Sequence, residues 1–382
     1  MTTYAHLAET ELALLRRAEA VAAQQLVPLA AAGEPGRINR KLLAALAEHG
    51  LLGEVFLRDP AGGYQPVSAL ALCLLREGLA RFSTEAETAL ALQGLGAYPI
   101  LGAGSTEVIA EWIPRVADGS AAAGFALTEP DAGSDVAAMT LTATEDGTGF
   151  RLSGEKIYIS NAPDADIYSV FAKTTPAAGS RGITGFAVPG DSAGLSGERL
   201  NLLSPHPVGR LTFDQVFVPR GNVLGELDRG MGVAMRTLDL FRPSVGAFAV
   251  GMAQAALDAA VDHARQRRSF GKALREFQAV SHQLAEVATR TQAARLLVHS
   301  AARAYDAGIR PTGQAAAMAK LFATETAQFA VDTAIQVHGA RALEQGHLLE
   351  HLYREVRAPR IYEGASEIQR EIIARWLFTE PG

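Results

Sequence analysis

One cysteine, Cys73, stands among 382 residues. That excludes an internal disulfide and any metal site built from several cysteines. Flanked by Leu72 and Leu74, Cys73 reads as a small buried hydrophobe. No apolar run reaches the roughly 18 residues that span a bilayer. Neither sign of charge dominates: 35 basic against 41 acidic residues leave a net −6, so no polyanion such as nucleic acid is expected as a partner. The first residues, Met1 to Glu11, lack a basic stretch and turn acidic early, which argues against a signal peptide and for a cytoplasmic protein. His206, His338 and the other histidines show no His-Glu-x-x-His spacing, and no metal is expected. Internal repeats and low-complexity tracts are missing as well.

What is present is a soluble-type composition with three regions of different texture. From Tyr4 to about Gly119 the chain is rich in Ala and Leu at helical spacing, with Leu12, Leu15, Ala18, Ala22 and Leu26 on one face. Glycine and proline interrupt this region at 33–36, 59–64 and 102–104. Between about Ser120 and Leu227, short alternating runs such as Lys156-Ile-Tyr-Ile-Ser160 and Leu211-Thr-Phe-Asp-Gln-Val-Phe-Val218 read as strands separated by turns. Helical periodicity returns beyond Gly230, around 244–267, 277–307 and 312–338.

Two segments carry chemistry. Phe125-Ala-Leu-Thr-Glu-Pro-Asp-Ala-Gly-Ser-Asp135 reads by itself as a strand followed by a polar turn whose amides and Ser134 hydroxyl suit phosphate oxygens. Ile361-Tyr-Glu-Gly-Ala-Ser-Glu-Ile-Gln-Arg370 reads as a turn with acidic charge before a helix. Together they resemble two signatures of the acyl-CoA dehydrogenase family. Collinear segments extend the resemblance over nearly the whole chain: Gly50-Leu-Leu-Gly53, Pro60-Ala-Gly-Gly-Tyr64, Gly104-Ser-Thr-Glu107, Trp112-Ile-Pro114, Gln266-Arg-Arg-Ser-Phe-Gly271, Phe277-Gln278 and Gln336-Val-His-Gly339. The resemblance implies an α+β fold with an N-terminal helical domain (1–119), a middle β-barrel or sandwich domain (120–228) and a C-terminal four-helix bundle (229–382).

It also implies FAD as cofactor. A flavin needs a donor near N5 and O4, a platform for its ring, and partners for its pyrophosphate and adenine. The resemblance assigns the first needs to Phe125, Leu127, Thr128, Gly133, Ser134, Tyr158 and Ser160. Tyr158 stands where family members commonly carry tryptophan, and it keeps the flat apolar face. Arg267, with Phe270 and Gln278 in its segment, is assigned to the FAD of a neighbouring subunit, which implies a dimer or a tetramer, and Gln336 and Gly339 are assigned to the adenine side of the cofactor. Ala365 and Glu367 complete the cofactor set, although Ala365 replaces the usual threonine and Ala340 a second glycine.

The implied reaction is removal of an α-proton from an acyl thioester as a hydride moves from the β-carbon to flavin N5. A carboxylate in a dry pocket suits the first role, because desolvation raises its pKa towards the working pH. Glu363 matches that base, and the alternative position on an earlier helix holds Leu240 and Phe241. Its backbone amide and a ribityl hydroxyl of FAD would polarise the thioester carbonyl. Ser134, Arg242, Tyr362, Gly364, Ala91 and Leu95 are the implied substrate contacts, and an electron-transfer flavoprotein the implied acceptor. Leu202-Leu-Ser-Pro-His-Pro-Val-Gly-Arg210 departs from the family's CoA-binding pattern and is stiffened by two prolines. An acyl-carrier-protein thioester therefore stands beside acyl-CoA as substrate. A flavin oxidase or monooxygenase on the same fold and a non-catalytic carrier-protein binder are the readings from other classes.

Overall fold

The computed structural model describes residues 4–65, 67–309 and 312–378; Met1 to Thr3, part of the segment read for a leader, fall outside them. The principal helices of the N-terminal third are α1 (Glu9–Val21), α2 (Arg40–Glu48), α3 (Ala69–Ala80), α4 (Thr84–Ala103) and α5 (Thr106–Ala117). Strands β1 (Ala123–Ala126), β2 (Thr142–Asp146), β3 (Gly149–Ser160), β4 (Ile167–Lys173), β5 (Ile183–Pro189), β6 (Leu195–Arg199), β7 (Val208–Pro219) and β8 (Val223–Leu224) follow. Helices α6 (Gly230–Gln266), α7 (Gln278–Asp306), α8 (Thr312–His338), α9 (Leu348–Glu355) and α10 (Ser366–Leu377) complete the order.

The chain forms two compact units that interleave in sequence: Met1–Val27, Ser68–Glu87 and Asp239–Gly382 in one, Pro28–Val67 and Thr88–Leu238 in the other. Residues 1–119, read from sequence as one helical domain, are thus shared between the units.

The first unit is helical. Small residues let its helices approach closely. A Cβ on Gly246 of α6 would lie 2.7 Å from Val298 of α7 and 3.4 Å from the Ala319 carbonyl of α8, so three helices meet there. A Cβ on Gly251 would lie 2.5 Å from the Glu77 carbonyl of α3. The N-terminus of α3 is doubly capped: Ser68 Oγ accepts from the Ala71 amide, and Asp306 at the end of α7 accepts from the Ala69 and Leu70 amides. Helix α6 starts at Gly230, where helical periodicity returns in the sequence, and runs on through Pro243. Proline lacks an N–H and disturbs the preceding turn, and there the Ser244 hydroxyl donates to the Phe241 carbonyl at 2.6 Å. Among the described residues α6 is long and apolar enough to cross a membrane, but 78% of its apolar window is buried in the fold, as in a core helix.

The second unit is built on one sheet of order β8-β5-β4-β2-β3-β7-β6, with β1 added in parallel to β4. Leu152, Ile159, Val170, Phe186, Phe213 and Val216 fill its core. Strand β3 extends the run Lys156–Ser160, read as a strand in the sequence, back to Gly149. Strict alternation would place Lys156 and Tyr158 on one face. Instead the register shifts between Lys156 and Ile159, and Tyr158 takes a left-handed φ of 57°. Such an irregularity re-aims a side chain: Lys156 is buried and Tyr158 is 59% exposed.

Candidate active site

The turn carrying Glu363 belongs to the helical unit and lies just before α10. Glu363 has φ 52° and Gly364 φ 90°, two left-handed residues in succession. For a residue with a Cβ that conformation costs on the order of 1–3 kcal/mol, so surrounding groups must impose it. Two buried side chains do so. Lys320 Nζ, on α8, donates to the Tyr362 carbonyl at 2.9 Å and to the Gly364 carbonyl at 2.7 Å. Gln369 Nε2, on α10, donates to the Glu363 and Gly364 carbonyls at 3.2 and 2.8 Å. Nearby, Ser366 Oγ and Arg360 both bind Glu325, which fixes the first turn of α10 against α8.

Glu363 Oε2 is buried and has no hydrogen-bond partner among the described residues. Burial raises the Glu363 pKa above the ordinary carboxylate value, opposed by the positive charges of Arg76, Arg242 and Lys320. A desolvated carboxylate with an unengaged oxygen is poised to accept a proton. Arg76 is buried on α3, where its Nε pairs with Glu87 and its Nη1 donates to Ser244 Oγ at 2.7 Å. Arg242 is buried, donates to Asp239 at 3.1 Å, and keeps an Nε that is also unpaired. Tyr362, Glu363, Gly364 and Arg242, all expected at the substrate, are therefore grouped in one unit. Ala365 caps α10 and Glu367 points outward from its first turn, paired with Arg370.

The second unit holds the residues expected at the flavin ring. Strand β1 stops at Ala126, so Thr128 lies beyond it. A buried ion pair holds this segment instead. Glu129 accepts from Lys156 Nζ at 2.9 Å and from the Thr140 and Leu141 amides, and Lys156 Nζ also donates to the Leu127 carbonyl. The Ile157 amide donates to the Thr128 carbonyl at 3.0 Å, which brings Thr128 to the segment of Tyr158 and Ser160. Gly133 and Ser134 are exposed, and a Cβ on Gly133 would meet open space. Phe125 and Leu127 turn their side chains inward, Phe125 against Phe171 with ring centres 5.2 Å apart, in a cluster that includes Leu95. Ala91 is buried on α4, and the Tyr98 hydroxyl accepts from the Val67 amide.

The remaining set lies at another end of the helical unit. A two-stranded hairpin, Arg268–Ser269 against Lys272–Ala273, carries Phe270 at its tip, 93% exposed. Arg267 precedes it and Gln278 opens α7; both are exposed. His263 stacks on His338 with ring centres 4.2 Å apart, so the end of α6 and the end of α8, which carries Gln336 and Gly339, converge.

Sequence reasoning missed Lys320, Arg76, Glu87, Gln369 and the Lys156–Glu129 pair. A signal existed for two of them. Arg76 interrupts the apolar stripe Leu72, Leu75, Leu79 on α3, and Lys320 that of Ala316, Ala319, Ala323 and Ala327 on α8. A charge on a buried stripe demands a partner.

Models of the N-terminal, middle and C-terminal domains of acyl-CoA dehydrogenases match residues 8–120, 124–216 and 228–378. The chain belongs to the acyl-CoA dehydrogenase family. It is 36% identical to cyclohexane-1-carbonyl-CoA dehydrogenase of Geobacter metallireducens, over 94% of this chain and 95% of that one. The solved structure of PigA with FAD and proline superposes with a TM-score of 0.90 at 28% identity, covering 97% and 98% of the two chains. That of the prolyl acyl carrier protein oxidase AnaB superposes with a TM-score of 0.90 at 27% identity, covering 98% and 100%. The α+β architecture expected from the sequence is the family's. The cofactor is FAD, and the residues expected to hold it are open to a ligand: the Tyr158 ring is exposed, the turn at Gly133 and Ser134 is open, and Arg267 is exposed.

Proposed function

We propose that this enzyme desaturates an acyl thioester between its α- and β-carbons, with Glu363 removing the α-proton. The observation that carries the reading is the half-buried Glu363 side chain: its Oε2 is buried and unengaged, its pKa is raised by desolvation, and it is held in a left-handed turn. FAD, when bound, supplies the hydride acceptor. Thr128, Ser134, Ser160 and Tyr158 hold its ring side. Arg267, Gln278, Gln336 and Gly339 take the pyrophosphate and adenine of a neighbouring subunit's FAD, so the active unit is at least a dimer. The Glu363 amide polarises the thioester carbonyl, and buried Arg242 lies beside the acyl arm. Electrons leave to an electron-transfer flavoprotein.

A second reading differs in the thioester donor. Loop 202–210 exposes Leu202 and Leu203, while its backbone is anchored where Pro205 and Pro207 carbonyls accept from the Gly36 and Asn161 amides. A rigid loop without the family's CoA pattern, together with similarity to a prolyl carrier-protein oxidase, favours a phosphopantetheine arm presented by a carrier protein. Anaerobic titration of the yellow protein with matched acyl-CoA and acyl-carrier thioesters distinguishes the two. Bleaching by CoA esters supports the first reading, and bleaching by carrier esters alone supports the second. Glu363→Gln is expected to stay yellow and not bleach; bleaching at the wild-type rate would remove Glu363 from the base role.

A further inference from the structure

The ammonium of Lys320 is fully buried, and its two hydrogen-bond partners are main-chain carbonyls rather than a carboxylate. Burying an ammonium is costly unless it is well coordinated. If this position on α8 only filled space among Ala316, Ala317 and Ala319, methionine would fill it without that cost. The carbonyls it binds belong to the residues on either side of Glu363. With Gln369, also fully buried, it fixes three successive carbonyls, those of Tyr362, Glu363 and Gly364.

We propose that Lys320 is a positioning residue for proton abstraction: by bridging the Tyr362 and Gly364 carbonyls, its ammonium holds the base-bearing turn so that the Glu363 carboxylate faces the substrate. This inference rests on the reading of Glu363 as the base. The geometry explains how a residue with a Cβ stays left-handed at φ 52° beside Gly364 at φ 90°. It also places a fixed positive charge beside the carboxylate. The charged groups around the turn are Arg76 on α3 with its partner Glu87 on α4, Arg242 on α6 with Asp239, and Lys320 and Glu325 on α8. Arg360 and Glu367 lie on the flanking segments, and Glu355 and the Tyr362 phenol complete the set. Burial lowers the Lys320 pKa to about 8, and the neighbouring Glu363 charge opposes that fall.

The test uses FAD-loaded Lys320→Met, Lys320→Ala and Glu363→Gln beside the wild type. Anaerobic flavin reduction is followed by stopped flow with whichever thioester of a C4–C8 acyl-CoA and acyl-carrier panel bleaches the wild type fastest. Lys320→Met is expected to slow reduction at saturation by on the order of 100-fold, the scale of a small misplacement of a reacting group, with substrate affinity little changed. Its acid limb should move to higher pH, because a charge that favours the carboxylate is gone. Ethylammonium or propylammonium should restore much of the rate to Lys320→Ala. Reduction of Lys320→Met within twofold of wild type, with Glu363→Gln inert, overturns the positioning role and leaves the base assignment standing. Slow reduction with an unmoved pH profile and no amine rescue, or loss of FAD from both lysine variants, assigns Lys320 to the fold and overturns it too. If Glu363→Gln bleaches normally, or no thioester bleaches the wild type, the proposed function fails and this inference falls with it.

Discussion

At the residue scale, the chemistry concentrates in a few buried charges, and their balance sets the pH response. Burial raises the Glu363 pKa and Arg76 is the first of the cations that restrain it. As the proposed base Glu363 acts only when ionised, so flavin reduction should rise with pH through a limb lying above the ordinary carboxylate range. Replacing the Arg76–Glu87 pair by two glutamines removes that restraint without leaving a lone buried charge. The limb of the double variant should then move to higher pH in stopped-flow profiles. At the cofactor, Arg267→Ala is expected to weaken FAD binding by roughly tenfold or more, the loss of a charge-assisted pair with phosphate. Equilibrium dialysis of the flavin reads this out, and unchanged affinity would remove Arg267 from the pyrophosphate. Glu363 and Arg267 stand out as candidates because each sits in a segment whose neighbours are themselves distinctive. Lys320 and Gln369 do not, because the carbonyls they bind lie more than forty positions away for one and only a turn away for the other, and neither spacing marks a motif.

At the scale of elements, helix and strand positions followed from periodicity wherever burial is one-sided, as along α1, α7 and β7. The reading failed where a local device overrides the period. The shift at Tyr158 reverses which face of β3 is buried, and only the partner strand reveals it. One buried network holds several elements of the helical unit together. Glu77 on α3 binds Arg295 and His299 on α7 and the Tyr4 hydroxyl, and Arg295 also reaches Gln254 on α6. Although burial would raise it, the Glu77 pKa is held at about 2 by Arg295 and His299. A folded pKa below the unfolded value contributes stability above the unfolded pKa, near 4.3, that is lost as pH falls towards 2. Arg295→Met strands the Glu77 charge and should lower unfolding free energy by about 3–5 kcal/mol in denaturant titrations at neutral pH.

At the scale of the whole molecule, an isolated chain leaves Phe270 almost entirely in water beside Arg267, and one such aromatic at a hairpin tip suits a surface covered by another copy. Phe270→Asp should shift sedimentation towards smaller species and release FAD in step; an unchanged assembly with full flavin would place this hairpin outside the interface. The two units themselves interleave along the chain. Their order has a cost in time. The segments Met1–Val27 and Ser68–Glu87 complete their unit only with residues from Asp239 onward. At about 5–20 residues per second, Glu77 of α3 waits roughly 10–40 s at the ribosome before Arg295 and His299 of α7 exist to pair with it. Slowing elongation ahead of codon 239 should therefore lower soluble yield while leaving the finished enzyme unchanged.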